Sequence, residues 1–270
     1  MNGYAKLEVE KVHLRQCRWT LGVHNRSTID AVMGELGRYP LYIDIASNMF
    51  KYMHYIECHD KGSLIYEALV CNSNLAESGI YSWLSCINYI KQELNLCTDV
   101  NSITRAALGR RVKTKLINRY MEKWFQSVHS QNPHSKLRTY KLFKRNHGRE
   151  QYLKIMNCNH RRSLAKLRTS THSLEIEMGR RRNIPSENRL CRQCNLGKVE
   201  DELHLVVECP LYEDERKALY DVVEKACPTH FVSHNHEQKF LYIMSSEDSL
   251  VYNALAKFVY SAMSKRNPKE

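Results

Sequence analysis

The chain has 270 residues, 43% of them hydrophobic, and sets 41 Lys and Arg against 29 Asp and Glu for a net charge of +12. That apolar content suffices for one large or two modest cores and excludes disorder throughout. No run approaches the roughly 20 apolar residues of a membrane span, and the N-terminus lacks the basic-then-apolar pattern of a leader, so a soluble intracellular protein, nuclear or cytoplasmic, with no membrane partner is expected.

Apolar residues recur at threes and fours and seldom alternate, which predicts a mainly α chain. The first helix is expected over 4–22, with Leu7, Val12, Leu14, Trp19 and Leu21 along it and Gly22 ending it; a second over 28–36 stops at Gly37 and Pro40. A longer one over 41–56 carries Met49, Phe50, Tyr52, Met53 and Tyr55 as core candidates, and two more are expected over 64–72 and 81–94 before a polar connection at 99–105. The next, 105–128, is amphipathic: Leu108, Val112, Leu116, Ile117, Tyr120, Trp124 and Val128 share a face and basic residues fill the rest. After the break SQNPHS, helices are expected over 135–146, 149–156, 160–169 and 172–180, then an extended hairpin over 187–194, a helix over 212–227, a loop over 228–236, and helices over 237–244 and 248–264. The expected organisation is a helical unit (1–98), a basic helical unit (105–182), a small zinc knuckle with its following helix (187–226) and C-terminal helices (237–264).

Charge is unevenly spread along this layout. Residues 105–182 hold 21 Lys and Arg against 4 acidic residues, a balance of +17, while the remainder is at −5. A long basic block interleaved with Tyr120, Trp124, Phe125, Tyr140, Phe143 and Tyr152 is the footprint of phosphate neutralisation, the general source of nucleic-acid affinity. The candidate contacts are Arg110, Arg111, Lys115, Arg119, Arg161, Arg162, Lys166, Arg168, Arg180, Arg181 and Arg182.

One segment points to definite chemistry. In CRQCNLGKVEDELHLVVEC, Cys191, Cys194, His204 and Cys209 stand as C-x2-C-x9-H-x4-C, the spacing of a small tetrahedral zinc site. Two cysteines separated by two residues can reach one ion from a tight turn, and His204 and Cys209 would close the shell from a short helix with Glu200 to Glu202 in its first turn. A Cys3His shell has no open position, so the Zn2+ is expected to be structural. Buried cysteines often serve only as small hydrophobes, but the other seven of the 10 cysteines show no comparable cluster. Cys158 with His160, and Cys227 with His230, are expected in core or at the surface. Irregular cysteine spacing fits a reducing compartment better than a disulfide framework.

Three stretches resemble the C-terminal region of the proteins encoded by LINE-class, non-LTR retrotransposons: KVHLRQCRWTLGV with VMGELGRYPLY, RRSLAKLRTSTHSLEIEMGRRRNIPSENRLCRQCN, and VEDELHLVVECPLYEDER. The first resembles the segment after the reverse transcriptase core, the second the approach to the zinc knuckle, the third the knuckle itself. The resemblance implies that Cys191, Cys194, His204 and Cys209 hold the metal and that Arg161, Arg162, Arg168 and Arg180 to Arg182 face template RNA or target DNA. It also implies a catalytic reverse transcriptase chain as a partner, because this chain lacks the paired aspartates that hold two magnesium ions: YIDIAS has one Asp and no neighbour. No phosphate loop or nucleophile elbow is present, and His172 beside Glu175 and Glu177 reads as an ordinary surface pair rather than a general acid–base site. The expected function is therefore a non-catalytic, zinc-stabilised nucleic-acid-binding fragment, with RNA favoured. The alternatives are a helical protein-interaction module, or a decayed retrotransposon relic with no selected role.

Overall fold

A computed structural model describes residues 8–96, 103–132, 135–227, 231 and 233–267. The polar connection expected at 99–105, the SQNPHS break and the 228–236 loop lie wholly or partly outside them. Twelve α-helices span the described chain: α1 (Glu8–Leu21), α2 (Ile29–Leu36), α3 (Leu41–Glu57), α4 (Leu64–Glu77), α5 (Trp83–Glu93), α6 (Arg105–Val128), α7 (Tyr140–Phe143), α8 (Cys158–Arg168), α9 (Glu175–Arg181), α10 (Glu213–Ala226), α11 (His236–Ser245) and α12 (Ser249–Arg266). Among the described residues there is no strand, only two isolated antiparallel bridges, Leu36 with Arg149 and Leu190 with Val199.

Local chemistry places the helix starts. Ser63 and Asn157 cap α4 and α8 with their side chains, Ser82 and Asn235 form capping boxes at α5 and α11, and Asp248 caps α12. Two expected helices shrink: 135–146 contributes only α7, and 149–156 only a 3-10 turn at Gln151–Lys154. Both segments are short and crowded with aromatics, and Tyr140, Phe143 and Tyr152 are buried. Burying several large rings from a few consecutive residues suits turns better than a single helical stripe.

The chain divides into two compact units, 8–13 with 39–123, and 14–38 with 124–267, so the division falls inside α1 and α6 rather than at the polar connection near 98–105. The linear charge shift near 105 marks composition; the contacts follow apolar side chains. In the first unit Ile43, Phe50 and Met53 of α3 share a core with Ile87, Leu108, Val112 and Leu116. Ser47 Oγ donates to the Gly109 carbonyl at 2.9 Å, and Glu10 accepts from Tyr42 N at 2.7 Å, placing a carboxylate at the N-terminus of α3. Helix α4 contributes no buried residue at all, and Leu64 is 82% exposed. Tyr52 and Tyr55, expected in the core, are exposed and stack on each other at 6.2 Å.

In the second unit Leu14, Cys17 and Leu21 carry the buried stripe of α1 while Trp19 stays 68% exposed, and Val12, on the first-unit part of the same helix, is 62% exposed. Trp124 Nε1 donates to the Asp30 carbonyl at 2.9 Å, and the ring covers Gly34 so closely that a Cβ there would meet it at 2.9 Å. Gly37 ends α2 at φ +61, against the backbone of Arg149. Helices α8 and α10 both pack on α12, burying Leu164, Leu219, Val223, Leu255 and Val259.

Candidate metal centre and basic surface

The donor atoms of Cys191, Cys194, His204 and Cys209 all lie within 4.8 Å of one another, and they are the one such cluster among the described residues. Tetrahedral zinc with bonds of about 2.3 Å to sulfur separates sulfurs by about 3.8 Å, so the four donors need little movement to surround an ion. Cys194 Sγ and His204 Nε2 are already 3.4 Å apart.

Each arm of the cluster is built locally. On the cysteine side, Cys191 N donates to the Lys198 carbonyl at 2.8 Å and Glu200 N to the Arg189 carbonyl at 2.9 Å, framing a narrow ribbon in place of the expected 187–194 hairpin. Gly197, at φ +63, supplies the left-handed turn. Gln193 N donates to Cys191 Sγ at 3.4 Å, so the turn presents backbone N–H to a sulfur. On the histidine side, residues His204–Glu208 form a π-helical turn, closed by Cys209 N donating to the His204 carbonyl at 2.8 Å. Residues five apart in an α-helix would sit about 140° apart around the axis. The wider turn brings His204 and Cys209 to the same side, and such turns recur at functional sites. Asp201 starts it by accepting from His204 N at 2.8 Å, and the buried guanidinium of Arg216 ends it by donating to the carbonyls of Leu205, Val206 and Cys209.

The donor set also fits a thiophilic cation electrostatically. Burial and the neighbouring thiols push the Cys209 thiol up to about 12, and burial raises Cys191 as well, so without a cation these two sulfurs favour the neutral thiol; a divalent cation reverses that preference. His204 turns Nδ1 toward Glu208 Oε2 at 3.3 Å, which puts the ring proton there and frees Nε2 to coordinate. Glu208 in turn accepts from Lys198 at 2.8 Å and faces His236 Nδ1 at 3.2 Å. Burial would raise this carboxyl, yet those hydrogen bonds hold it below its ordinary value. Glu208, Lys198, His236 and Arg216 were not identified from the sequence. Only Glu208 carried a usable signal, standing four residues after the candidate ligand His204.

Glu200 and Glu202, expected at an acidic helix start, are instead fully buried ion-pair partners. Arg266 grips both oxygens of Glu200 at 2.7 Å. Arg138 grips both oxygens of Glu202 at 2.9 Å, with His172 Nε2 at 2.9 Å and Ser170 Oγ at 3.2 Å. His172 is therefore a core residue facing Glu202, not a surface partner of Glu175 and Glu177. Burial opposes the charge on Glu202, but Arg138 and then His172 hold its carboxyl down at about 2, from an ordinary 4.5. A depressed carboxyl stabilises the fold above its unfolded pKa and loses that contribution as pH falls toward its folded one. Glu202→Gln is accordingly expected to cost about 3 kcal/mol at pH 7, with the gap to the parent protein narrowing below pH 4.5 and closing near pH 2. Denaturant titrations across that range check it, and a gap independent of pH would refute it.

The basic candidates separate into two kinds. Arg110, Arg111, Arg162, Lys166 and Arg181 are exposed and form no ion pair among the described residues. The others have structural occupations. Lys115 donates to the Leu94 carbonyl at the end of α5, and Arg119 pairs with Glu93 at 2.8 Å. Arg161 donates to the Ile155 carbonyl at 2.6 Å, Arg180 pairs with Glu177 at 3.2 Å, and Arg182 pairs with Glu175. Arg168 is a correction: its guanidinium is buried between the rings of Phe143 and Tyr152, bonded to Glu35 at 2.8 and 3.1 Å, to Glu150 at 2.9 Å and to the Met244 carbonyl at 2.7 Å. No phosphate can reach it.

No protein family, curated protein or solved structure matches the chain. Among the described residues no helix is long and apolar enough to cross a membrane, and all nine described cysteines are free thiols.

Proposed function

We propose that the chain is a non-catalytic, zinc-stabilised nucleic-acid-binding module of the kind found in the C-terminal region of LINE-class retrotransposon proteins, with RNA as its favoured ligand. The convergence of three thiols and one carboxylate-oriented imidazole on one point carries this reading. A closed Cys3His shell organises residues 191–209 and leaves no position for substrate. Affinity then comes from cations elsewhere, supplied by Arg110 and Arg111 in the first unit and by Arg162, Lys166 and Arg181 in the second. These five neutralise phosphates and release counterions, and polymerisation belongs to a separate catalytic chain.

The test couples metal analysis to RNA titration. One zinc per chain is expected, with the logarithm of affinity for single-stranded RNA falling against the logarithm of salt at a slope of about −3.5 for five phosphate contacts. Flat salt dependence, or no stoichiometric metal, overturns the proposal. A second reading, a protein-interaction module, is favoured by one observation: α4 exposes Leu64, Val70 and Leu75 with no side chain buried. Acidic-protein binding that heparin and RNA displace equally would support that reading instead.

A further inference from the structure

A cleft of about 300 Å³ opens in the second unit between α8, α9 and α12. Leu167 and Val259 close its base with buried apolar side chains, and Met178 and Met263 flank it. Lys166 and Arg181 line the same cleft, are exposed, and take no carboxylate among the described residues. Several polar groups surround this apolar base: the hydroxyls of Ser163 and Thr171, and Asn267 Nδ2 donating to Ser173 Oγ at 2.9 Å. The volume stands at the lower end of small-ligand sites, which combine apolar walls with a few placed polar groups. An apolar base lined by two cations that face no carboxylate, Arg181 resting only on Met178 Sδ at 3.8 Å, suits a ligand whose planar, weakly polar part carries flanking negative charge. That is the chemistry of a nucleotide unit within a single strand: the base against thioether and aliphatic side chains, its flanking phosphates on Lys166 and Arg181. A duplex keeps its bases stacked and paired, so it offers the cleft phosphates alone.

We infer that this cleft seats one unpaired base and its two flanking phosphates, giving the chain a preference for single-stranded over duplex RNA. The inference rests on the nucleic-acid reading above and assigns that reading a specific pocket. Labelled oligoadenylate, a duplex of matched length and heparin are titrated against three variants of the full chain. Lys166→Glu with Arg181→Glu is expected to weaken single-strand binding about tenfold beyond the charge-matched control Lys217→Glu with Lys257→Glu, and to reduce the salt slope by about 1.4. Ser163→Trp fills the cleft without changing charge. It is expected to remove the single-strand preference, a loss of about tenfold for oligoadenylate, while duplex and heparin binding hold. If both cleft variants bind oligoadenylate as the control does, the pocket is refuted and the wider reading survives. If the parent chain binds no RNA, both fall. The charge pair is exposed, so that arm remains decisive should Ser163→Trp unfold.

Discussion

Cys209→Ser, and equally His204→Ala, is expected to reduce bound zinc from one per chain to none and to open residues 187–226 to protease. On the proposed reading, the donors should not persist as an independent structure once the ion is removed. Cys209 and His204 are among the most buried residues of the segment, at 0% and 1% exposure, and the π-helical turn that carries them is five residues long, held outside the cluster by α11 and by Arg216 of α10. Structural zinc contributes about 10–16 kcal/mol of apparent binding energy in isolated fingers, so even a fraction of that exceeds the margin of a typical domain. Here the ion also replaces an unfavourable alternative, the packing of three thiols against an imidazole. Limited proteolysis with and without chelator reads the outcome. Cys158→Ser and Cys227→Ser serve as controls and should keep the metal, since neither sulfur belongs to the cluster. An identical digestion pattern before and after chelation would show that the fold of this segment does not depend on metal.

The second large effect concerns Arg168 and Glu35. Glu35 has no exposed surface, and its oxygens accept from Arg168 Nε and Nη2. Burial works to raise the Glu35 carboxyl, but Arg168 holds it below its ordinary value. Glu35→Ala should cost about 3–5 kcal/mol, because it leaves a buried guanidinium short of its principal counter-charge. Arg168→Lys keeps the charge yet loses the forked geometry and the Met244 carbonyl, so it should also destabilise. Arg162→Ala, on the exposed side of the same helix, should fall within about 0.5 kcal/mol of the parent. The comparison also separates structure from binding. At a temperature where both chains are folded, Arg168→Lys should bind RNA like the parent, and a selective loss of affinity would overturn the assignment of Arg168 to the core.

Arg168 illustrates where linear reading stops. Helices α1 to α6 and α8 to α12 were legible because their apolar residues recur at helical spacing and Gly, Pro, Ser and Asn punctuate them; of the face expected on α6, Leu108, Val112, Leu116, Tyr120, Trp124 and Val128 are buried and Ile117 is half-buried. The four cysteine and histidine donors were legible because ligand spacing is a local constraint. Arg168 stands among basic neighbours, and its partner Glu35 lies far back in the chain, where no periodicity connects them. His172 met the same limit: nearby Glu175 and Glu177 offered an obvious local pairing, while its actual partner, Glu202, arrives from the knuckle. The π-helical turn was illegible for a different reason. A run such as HLVVE satisfies an ordinary helix equally well, and only closure of the cluster selects the wider ring.

The separation between the donors and their supporting charges also sets an order of events in time. The four donors fall within residues 191–209, so a small loop suffices to gather them and its closure is fast. Glu202 finds Arg138 already synthesised, 64 residues earlier in the chain, whereas Glu200 waits for Arg266, 66 residues later. During synthesis the proposed metal loop is therefore complete while the Glu200 carboxylate beside it still lacks its partner, which arrives only when Arg266 has left the ribosome. Metal capture at that stage, as proposed above, would shield the thiols from oxidation, and the later Glu200–Arg266 pair fastens the segment to the last helix.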